Sequence, residues 1–193
     1  MSQTIRCDWC LSSDLYINYH DNVWGVPEFD DKLLFEYICL EGAQAGLSWL
    51  TILKKQQNYK KAFLDFDSKK IANFDDKIVE EIITNADVVR NRLKIKSVIK
   101  NARIIEENFS DQDSFSNFIW KHVNFKPINH SFTELSQIPA QDNIALSLSK
   151  DLKKLGFSFV GPTICYAFMQ AIGMVNDHLT NCFRYQEISD LTY

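Results

Sequence analysis

The sequence lacks the two features that would direct it into or across a membrane. No basic-then-apolar leader opens the chain, and no apolar run approaches the roughly 18 residues that a membrane-spanning helix needs. Of the 193 residues, 46% are hydrophobic and 13% are aromatic, which is enough for a sizeable core. We therefore expect a globular cytoplasmic protein, and intrinsic disorder is excluded.

Signals for β-structure are also missing. We find no alternation of apolar and polar residues over a strand length, no Asn-Gly hairpin turn and no internal repeat. Apolar residues instead recur at helical spacing, so the predicted fold class is all-α. Helices are predicted from about residue 31 and over 50–63, 76–84, 92–109, 114–123, 145–155 and 164–172. Residues 66–72 are predicted to form a turn that leads into a short helix. Residues 1–30 are expected to be irregular, and 124–141 to be a long connection.

The charge is low and unevenly distributed. A net charge of −4 argues against a protein that coats nucleic acid nonspecifically, although it leaves room for a local basic face. Acidic residues are concentrated in 65–87 and basic residues in 90–103. We interpret most of the basic run as a solvated helix face, with a DNA flank as the alternative.

A carboxylate within an apolar helical stripe is the strongest indication of a functional site in the sequence. One face of the first long helix carries Leu34, Ile38, Glu41 and Ala45. An ionised carboxylate buried without a partner costs several kcal/mol, so Glu41 is expected to be paired, protonated or reserved for a ligand. A salt-bridged core glutamate is the alternative. We favour a ligand site because Trp49 follows, and because Gly42 and Gly46 should interrupt the helix and admit another molecule to the backbone.

A second informative stretch joins the last two predicted helices. Gly156 suits the left-handed residue after a helix, Gly161 suits the start of the next helix, and Pro162 suits its first turn. The alternative is a plain packing hairpin. We favour a helix-hairpin-helix whose exposed backbone N–H groups bind a DNA phosphate, with Lys153 and Lys154 just before it.

The cysteines and histidines indicate a metal site. Cys7, Cys10 and His20 lie near one end of the chain, and His178 and Cys182 lie near the other, spaced to share a face if they are helical. Two sulfur and two nitrogen ligands close a tetrahedral zinc site with no open position, which predicts a structural metal. Spacing leaves open whether His20 or Cys10 is the fourth ligand. Separate buried cysteines and surface histidines are the alternative.

The residues above fall within five motifs that closely resemble the 3-methyladenine DNA glycosylase I family of bacteria. The resemblance covers nearly the whole chain. The motifs are Arg6-Cys7-x-Trp9, Tyr19-His20-Asp21-x-x-Trp24-Gly25-Val26-Pro27, Leu40-Glu41-Gly42-x-Gln44-Ala45-Gly46-Leu47-Ser48-Trp49, Gly156-Phe157-x-Phe159-Val160-Gly161 and Gln170-Ala171-x-Gly173-x-x-Asn176-Asp177-His178.

The resemblance implies a helix-hairpin-helix DNA glycosylase that acts in base-excision repair of alkylated double-stranded DNA. Such an enzyme hydrolyses the N-glycosidic bond of 3-methyladenine, releases the free base and leaves an abasic site. We expect a monomer in the bacterial cytosol or nucleoid. The implied fold is one unit over 1–193, with a helical core over 31–174 that contains the hairpin at about 145–173. Residues 1–30 and 175–193 would form a zinc-pinned lobe.

The resemblance also assigns site residues. The zinc ligands of the family match Cys7, His20, His178 and Cys182, which leaves Cys10 outside the site. The base pocket maps onto the catalytic Glu41 and onto the base-binding residues Tyr19, Trp49, Trp9 and Tyr16. The expected DNA contacts are Leu47, as a wedge in the gap left by the flipped base, and Gly156, Gly161 and Thr163.

These residues suit the implied chemistry. A base methylated at N3 is a cation, which aromatic faces and a carboxylate both attract, and Glu41 would accept hydrogen bonds from its exocyclic amine. The hairpin carries no lysine, and we interpret Asp177 as structural. The hypothesis is therefore a monofunctional hydrolase without lyase activity. The competing hypotheses are a zinc-stapled DNA-binding module without catalysis and a zinc hydrolase.

Overall fold

The computed structural model describes residues 4–85, 87–110 and 112–191. Within these ranges the chain forms α-helices, short 3-10 turns and one pair of two-residue strands. The helices are α1 (Asp14–Asn22), α2 (Asp31–Gln44), α3 (Trp49–Ala62), α4 (Ser68–Ile71), α5 (Asp76–Asn85), α6 (Arg92–Asn108), α7 (Phe115–Trp120), α8 (Asn143–Leu155), α9 (Pro162–Ala171) and α10 (Phe183–Ser189). The 3-10 turns are Asp8–Cys10, Leu64–Phe66, Lys121–Val123 and Leu135–Gln137.

None of the helices in the described part of the chain is both long and apolar enough to cross a membrane.

Helix α2 lies in the middle of the core, where it contacts α3, α6, α7 and α9. Asp30 begins the helix by accepting a hydrogen bond from the backbone N–H of Leu33 at 2.9 Å. The next residue, Asp31, caps a different helix. Its carboxylate accepts from the backbone N–H groups of Phe115 and Ser116 at 3.2 and 2.7 Å, in the first turn of α7. These two adjacent acids fix the start of α2 and its distance from α7.

The expectation for Gly42 was wrong in one respect. The helix is not interrupted there but continues to Gln44. A Cβ atom at position 42 would lie 3.0 Å from the Cβ of Phe159, so the missing side chain admits the loop between α8 and α9 rather than a second molecule. Gly46 lies beyond the helix in a left-handed conformation, with φ of +76°. It belongs to the turn that leads into α3.

The predicted helices over 50–63, 76–84, 92–109, 114–123, 145–155 and 164–172 are confirmed to within two residues, counting the 3-10 turn that extends α7. Helices α1 and α10 were missed. The buried residues of α1 are Tyr19 and His20, so its inner face carries polar aromatic groups instead of the aliphatic side chains that mark helical periodicity. The interpretation of residues 1–30 as wholly irregular was therefore wrong.

The structure corrects the all-α prediction in one detail. Ile128–Asn129 (β1) pairs in parallel with Val175–Asn176 (β2). Strand β1 lies inside 124–141, the segment expected to be a plain connection. A strand of two residues is too short to show the alternation of apolar and polar residues, so no strand pattern was visible in the sequence. The pairing ties the long connection to the chain just before His178. The fold remains mostly helical.

The acidic and basic runs partly neutralise each other. Arg92 pairs with Glu80, and Lys96 lies 2.7 Å from Asp76, so α6 and α5 are joined by ion pairs. Arg103 donates from its guanidinium to backbone carbonyl groups. The basic run is thus partly engaged within the protein, where the sequence suggested a solvated face.

Gly173 provides a test of the packing around the site. Its φ is +70°, and a Cβ atom there would lie 2.5 Å from the backbone nitrogen of Pro27. We expect Gly173→Ala to lower the free energy of unfolding by more than about 3 kcal/mol, because backbone strain and overlap with backbone both contribute. Gly46→Ala is the matched control, since Gly46 has φ of +76° and nothing within 4 Å. It should cost about 1 kcal/mol. Equal losses in urea denaturation would contradict this packing.

Candidate active site and metal-ligand cluster

A cavity of about 210 Å³ opens beside Glu41. Its walls come from the N-terminal segment and from α1, α2, α3 and α9. The lining residues are Trp9, Tyr16, Tyr19, Trp24, Glu41, Gln44, Trp49, Ala167 and Gln170. The volume lies below the roughly 300–1,000 Å³ of pockets for drug-sized ligands, so the cavity suits a smaller molecule. Its aromatic walls favour a flat one.

Glu41 is buried, and no described residue pairs with its carboxyl group. Its side chain lies on α2 with only 4% of the residue exposed, and its Oε2 has no hydrogen-bond partner among the described residues. Burial raises the pKa of the Glu41 carboxyl to about 8. Glu36, on the same helix, is equally buried but lies 3.1 Å from Lys60 and accepts from Gln56 at 2.8 Å. The salt-bridged alternative thus describes Glu36 and not Glu41.

A buried lysine lies near this end of α2 but serves the backbone. The Nζ of Lys94 donates to the carbonyl oxygens of Ala43 and Ala45 at 2.8 and 2.6 Å. Burial lowers the pKa of Lys94. The ammonium group stabilises the negative C-terminal end of the helix. Glu41 is left without a cation from this side chain.

Aromatic rings form the rest of the cavity. The ring centroids of Tyr19 and Trp49 are 5.5 Å apart, and Trp9 lies edge-on to Tyr16 and Trp24 at 4.8 and 5.0 Å. Burial and, secondarily, the charge of Glu41 raise the pKa of both tyrosines. The Nε1 of Trp49 is buried and has no acceptor in the described ranges. The cavity also holds a buried acceptor, Oε2 of Glu41, that has no hydrogen bond in the described part of the chain. Such an acceptor is unusual in a folded protein and favours a ligand.

The structure brings together all five residues predicted for the base pocket: Tyr19, Trp49, Trp9, Tyr16 and Glu41. Sequence reasoning missed four lining residues. Trp24, Gln44 and Gln170 belong to the quoted motifs, and that membership could have pointed to them, whereas Ala167 carries no chemical signal. Leu47 does not line the cavity. It lies on the turn between α2 and α3 with 42% of its surface exposed.

The predicted hairpin is formed by α8, α9 and the loop 156–161. Gly156 has φ of +98° at the end of α8, and its N–H donates to the carbonyl of Lys153 at 3.0 Å. The N–H of Ser158 donates to Asn101 at 2.9 Å. The early amides of the loop are therefore engaged within the protein. Gly161 precedes α9 as its N-cap, and Thr163 is exposed in its first turn.

Four buried side chains from the two ends of the chain could hold a metal ion. The ligand atoms of Cys7, His20, His178 and Cys182 all lie within 4.8 Å of one another. The Sγ of Cys182 is 3.5 Å from Nε2 of His20 and 3.7 Å from Nδ1 of His178. Cys10 is outside the cluster, because its thiol donates to the carbonyl of Cys7 at 3.1 Å. Geometry thus groups His20, rather than Cys10, with the other three.

The two histidines are oriented for ligation. The Nδ1 of His20 bonds to Asp21 at 2.8 Å, and Asp21 is held in turn by Arg6. The Nε2 of His178 lies 3.1 Å from the carbonyl oxygen of Trp24. The opposite ring nitrogens therefore face the thiols, as in metal sites whose histidines donate outward.

The expected helical spacing of the last two ligands was wrong. Residues 177–182 are not helical, and Cys182 is the residue before α10. The N–H of Cys182 donates to the carbonyl of Leu179 at 2.8 Å. A tight turn therefore brings His178 and Cys182 together. Like a helical turn, it can place two side chains four residues apart next to each other.

Comparison with known proteins gives consistent matches over the length of the chain. Residues 9–185 match the family model described as methyladenine glycosylase. The chain is 50% identical over 180 residues to DNA-3-methyladenine glycosylase 1 of Escherichia coli (strain K12), covering 93% of this chain and 96% of that protein.

Two solved structures are similar over the same extent. A crystal structure of 3-methyladenine DNA glycosylase I matches with a TM-score of 0.89 at 49% identity, over 93% of this chain and 98% of that one. The Staphylococcus aureus 3-methyladenine DNA glycosylase I, solved to explain its recognition of 3-methyladenine, matches with a TM-score of 0.89 at 38% identity. That match covers 92% of this chain and 95% of the other.

The raised pKa of Glu41 predicts a pH-dependent loss of stability. Burial raises the pKa of Glu41 from 4.5 to about 8, so the folded state favours the protonated carboxyl. This preference contributes fully to the free energy of unfolding below pH 4.5, and its contribution is lost as the pH rises to 8. The slope is about 1.4 kcal/mol per pH unit. From pH 5.5 to 7.5 the wild type should lose roughly 2–3 kcal/mol more than Glu41→Gln, in which this titration is absent. Urea denaturation at both pH values measures it, and parallel changes in the two proteins would contradict it.

Proposed function

Because this chain belongs to the methyladenine glycosylase family of DNA N-glycosyl hydrolases, we propose that it releases 3-methyladenine from alkylated DNA and leaves an abasic site. The observation that carries the proposal is the unpaired, buried carboxyl of Glu41 at an aromatic cavity. A cationic base supplies what that cavity lacks. It brings positive charge and N–H donors to Glu41 and a flat face to the rings.

The chemistry follows from the charge of the damaged base. Methylation at N3 makes the base a cation, so it leaves with the bonding electron pair of the glycosidic bond and becomes neutral. Water then adds to the sugar carbon and loses a proton. Binding the cation favours ionised Glu41, which accepts hydrogen bonds from the exocyclic amine. Neutral adenine displays the same amine, so charge supplies part of the discrimination.

The base reaches the cavity only when it is flipped out of the duplex. We assign Tyr19 and Trp49 to stacking on the flipped base, with Trp9 and Tyr16 closing the cavity beside it. Leu47 is assigned to the gap left in the DNA, because its exposed side chain stands on the turn that follows the Glu41 helix. Inserted apolar side chains are a known way to hold an opened base step.

The hairpin is proposed to anchor the DNA backbone as a helix-hairpin-helix. The N-terminal end of α9, with Gly161 and Thr163, offers backbone N–H groups to a phosphate. The N–H of Gly156 already donates to the carbonyl of Lys153. Gly156 is therefore assigned an indirect role, in which its left-handed conformation shapes the loop that leads to α9. Support comes from a basic groove beside Pro162. Its lysines are Lys150, Lys153 and Lys154.

We propose that the enzyme is monofunctional. No lysine is among the described residues that line the cavity, and the loop 156–161 has none. Both carboxylate oxygens of Asp177 already accept hydrogen bonds, which come from His130, Tyr166 and Gln170. The site therefore offers no amine nucleophile to form a Schiff base with the sugar.

The cysteine and histidine cluster is proposed to bind one structural zinc ion through Cys7, His20, His178 and Cys182. Two thiolates and two imidazoles are a donor set typical of zinc, and four protein ligands leave no position for substrate. The ion would join residues 1–30 and 175–193 into a lobe against the helical core 31–174. The bound metal supplies no catalytic step in this proposal.

Removing the carboxylate tests the function. We expect Glu41→Gln to lower kcat/KM for 3-methyladenine release by about 100-fold or more, because the charge and acceptor for the cationic base are lost. Glu36→Gln is the matched control, a buried glutamate of the same helix that faces Lys60 rather than the cavity. The kcat/KM of Glu36→Gln for 3-methyladenine release should stay within a few-fold of the wild-type value. Liquid chromatography of bases released from methylated DNA provides the measurement.

Three outcomes would count against the proposal. Unchanged release by Glu41→Gln would remove the role of the acid. DNA binding without release by the wild type would favour a binding module. Strand cleavage, or a covalent adduct trapped with borohydride, would exclude the monofunctional mechanism.

Metal analysis tests the zinc site. We expect the wild type to bind one zinc ion per chain. Cys10→Ser should retain the zinc and Cys182→Ser should lose it, because of these two cysteines only Cys182 belongs to the cluster. Chelation should lower the melting temperature together with activity, since a structural ion contributes to folding. Zinc retained by Cys182→Ser would refute the ligand assignment. Activity lost on chelation at unchanged thermal stability would favour a catalytic metal.

A further inference from the structure

A buried carboxylate fixes the orientation of one amide in the cavity wall. Asp177 is 1% exposed, and its oxygens bond to His130 Nδ1 at 2.6 Å, Tyr166 OH at 2.8 Å and Gln170 Nε2 at 2.8 Å. A carboxylate only accepts hydrogen bonds, so Gln170 must turn its NH₂ group towards Asp177. Rotating the amide by half a turn would place two oxygens in contact.

The oxygen of the same amide belongs to a residue that lines the cavity. Gln170 is half-buried on α9, one turn after Ala167, and both residues line the cavity that Glu41 lines from α2. In the described ranges no donor bonds to Oε1 of Gln170. The wall therefore contains a neutral acceptor, and the NH₂ group cannot exchange places with it while Asp177 holds that group.

We propose that Oε1 of Gln170 determines specificity by accepting a hydrogen bond from the 6-amino group of the flipped base and by rejecting purines with a 6-oxo group. This inference rests on the proposed function of the cavity. An amino group carries two hydrogens, so Gln170 and Glu41 can each accept one. A 6-oxo group would instead face the fixed oxygen of Gln170 with a second acceptor.

Neither Glu41 nor Gln44 can provide this selection alone. Glu41, with a pKa of about 8, can be protonated and can then donate to a 6-oxo group. Gln44 also lines the cavity, but within the described part of the chain no partner holds either end of its side-chain amide. It can therefore present its NH₂ group or its oxygen. Only Gln170 is held in one orientation.

The test compares two free bases that differ at position 6, 3-methyladenine and 3-methylhypoxanthine, as inhibitors of base release. We expect Gln170→Met to reduce the selectivity of the wild type for 3-methyladenine by about tenfold, because a hydrogen bond and a repulsion are both removed. Gln186→Met is the matched control. Gln186 also donates to an aspartate, Asp190, at 2.7 Å, but it lies outside the cavity. Its selectivity should equal that of the wild type.

A second measurement uses the unmodified protein and does not depend on how the variant folds. The selectivity should persist at pH 7 and pH 9, because an amide does not titrate while Glu41 does. Selectivity that disappears at pH 7, or an equal weakening of both bases in Gln170→Met, would overturn the inference. If the wild type releases 3-methyladenine but Gln170→Met keeps its selectivity, only this inference fails. If the wild type releases none, the proposed function fails with it.

Discussion

One buried carboxyl group without an internal partner is the constraint on which the site depends. Glu41 is held on a helix packed on several sides by α3, α6, α7 and α9, so it cannot move to solvent. The protein does not neutralise it with Lys94, which is committed to the end of the same helix. In the free protein the cost of burying this charge is avoided by protonation, because burial raises the pKa of Glu41 to about 8. In the proposed function, a ligand that brings donors and positive charge favours the ionised form instead.

The two ends of the chain pack against the core and also supply part of the cavity wall. Trp9, Tyr16, Tyr19 and Trp24 all come from the segment that carries Cys7 and His20. His178 also contacts the carbonyl of Trp24, and a Cβ atom on Gly25 would lie 3.1 Å from its ring. The cluster of cysteines and histidines and the aromatic wall are therefore one packed unit. Loss of the cluster should disturb the cavity even though none of its ligands lines it.

Two helices that face each other supply two different kinds of polar group. From α2 comes Glu41, which can change its protonation state, and from α9 comes Gln170, which cannot and is oriented by Asp177. Asp177 was expected to be structural, and its three hydrogen bonds agree with that expectation. They also link the segment beside His178 to the cavity wall. A residue with a purely structural set of contacts can in this way decide how a neighbouring amide meets a ligand.

The helical class and most helix boundaries follow from the sequence alone, and the resemblance of its motifs to a known family predicted five of the side chains that line the cavity. These features depend on periodicity, capping residues and motifs that are local in the chain. Three features of the site depend on how the helices pack. Glu36 is paired, whereas Glu41 has no partner in the described part of the chain. His20 rather than Cys10 joins the cluster, and Gly42 accommodates Phe159. Each of those outcomes depends on side chains far apart in the sequence. Their distances are fixed only when the helices pack, and no local pattern records them.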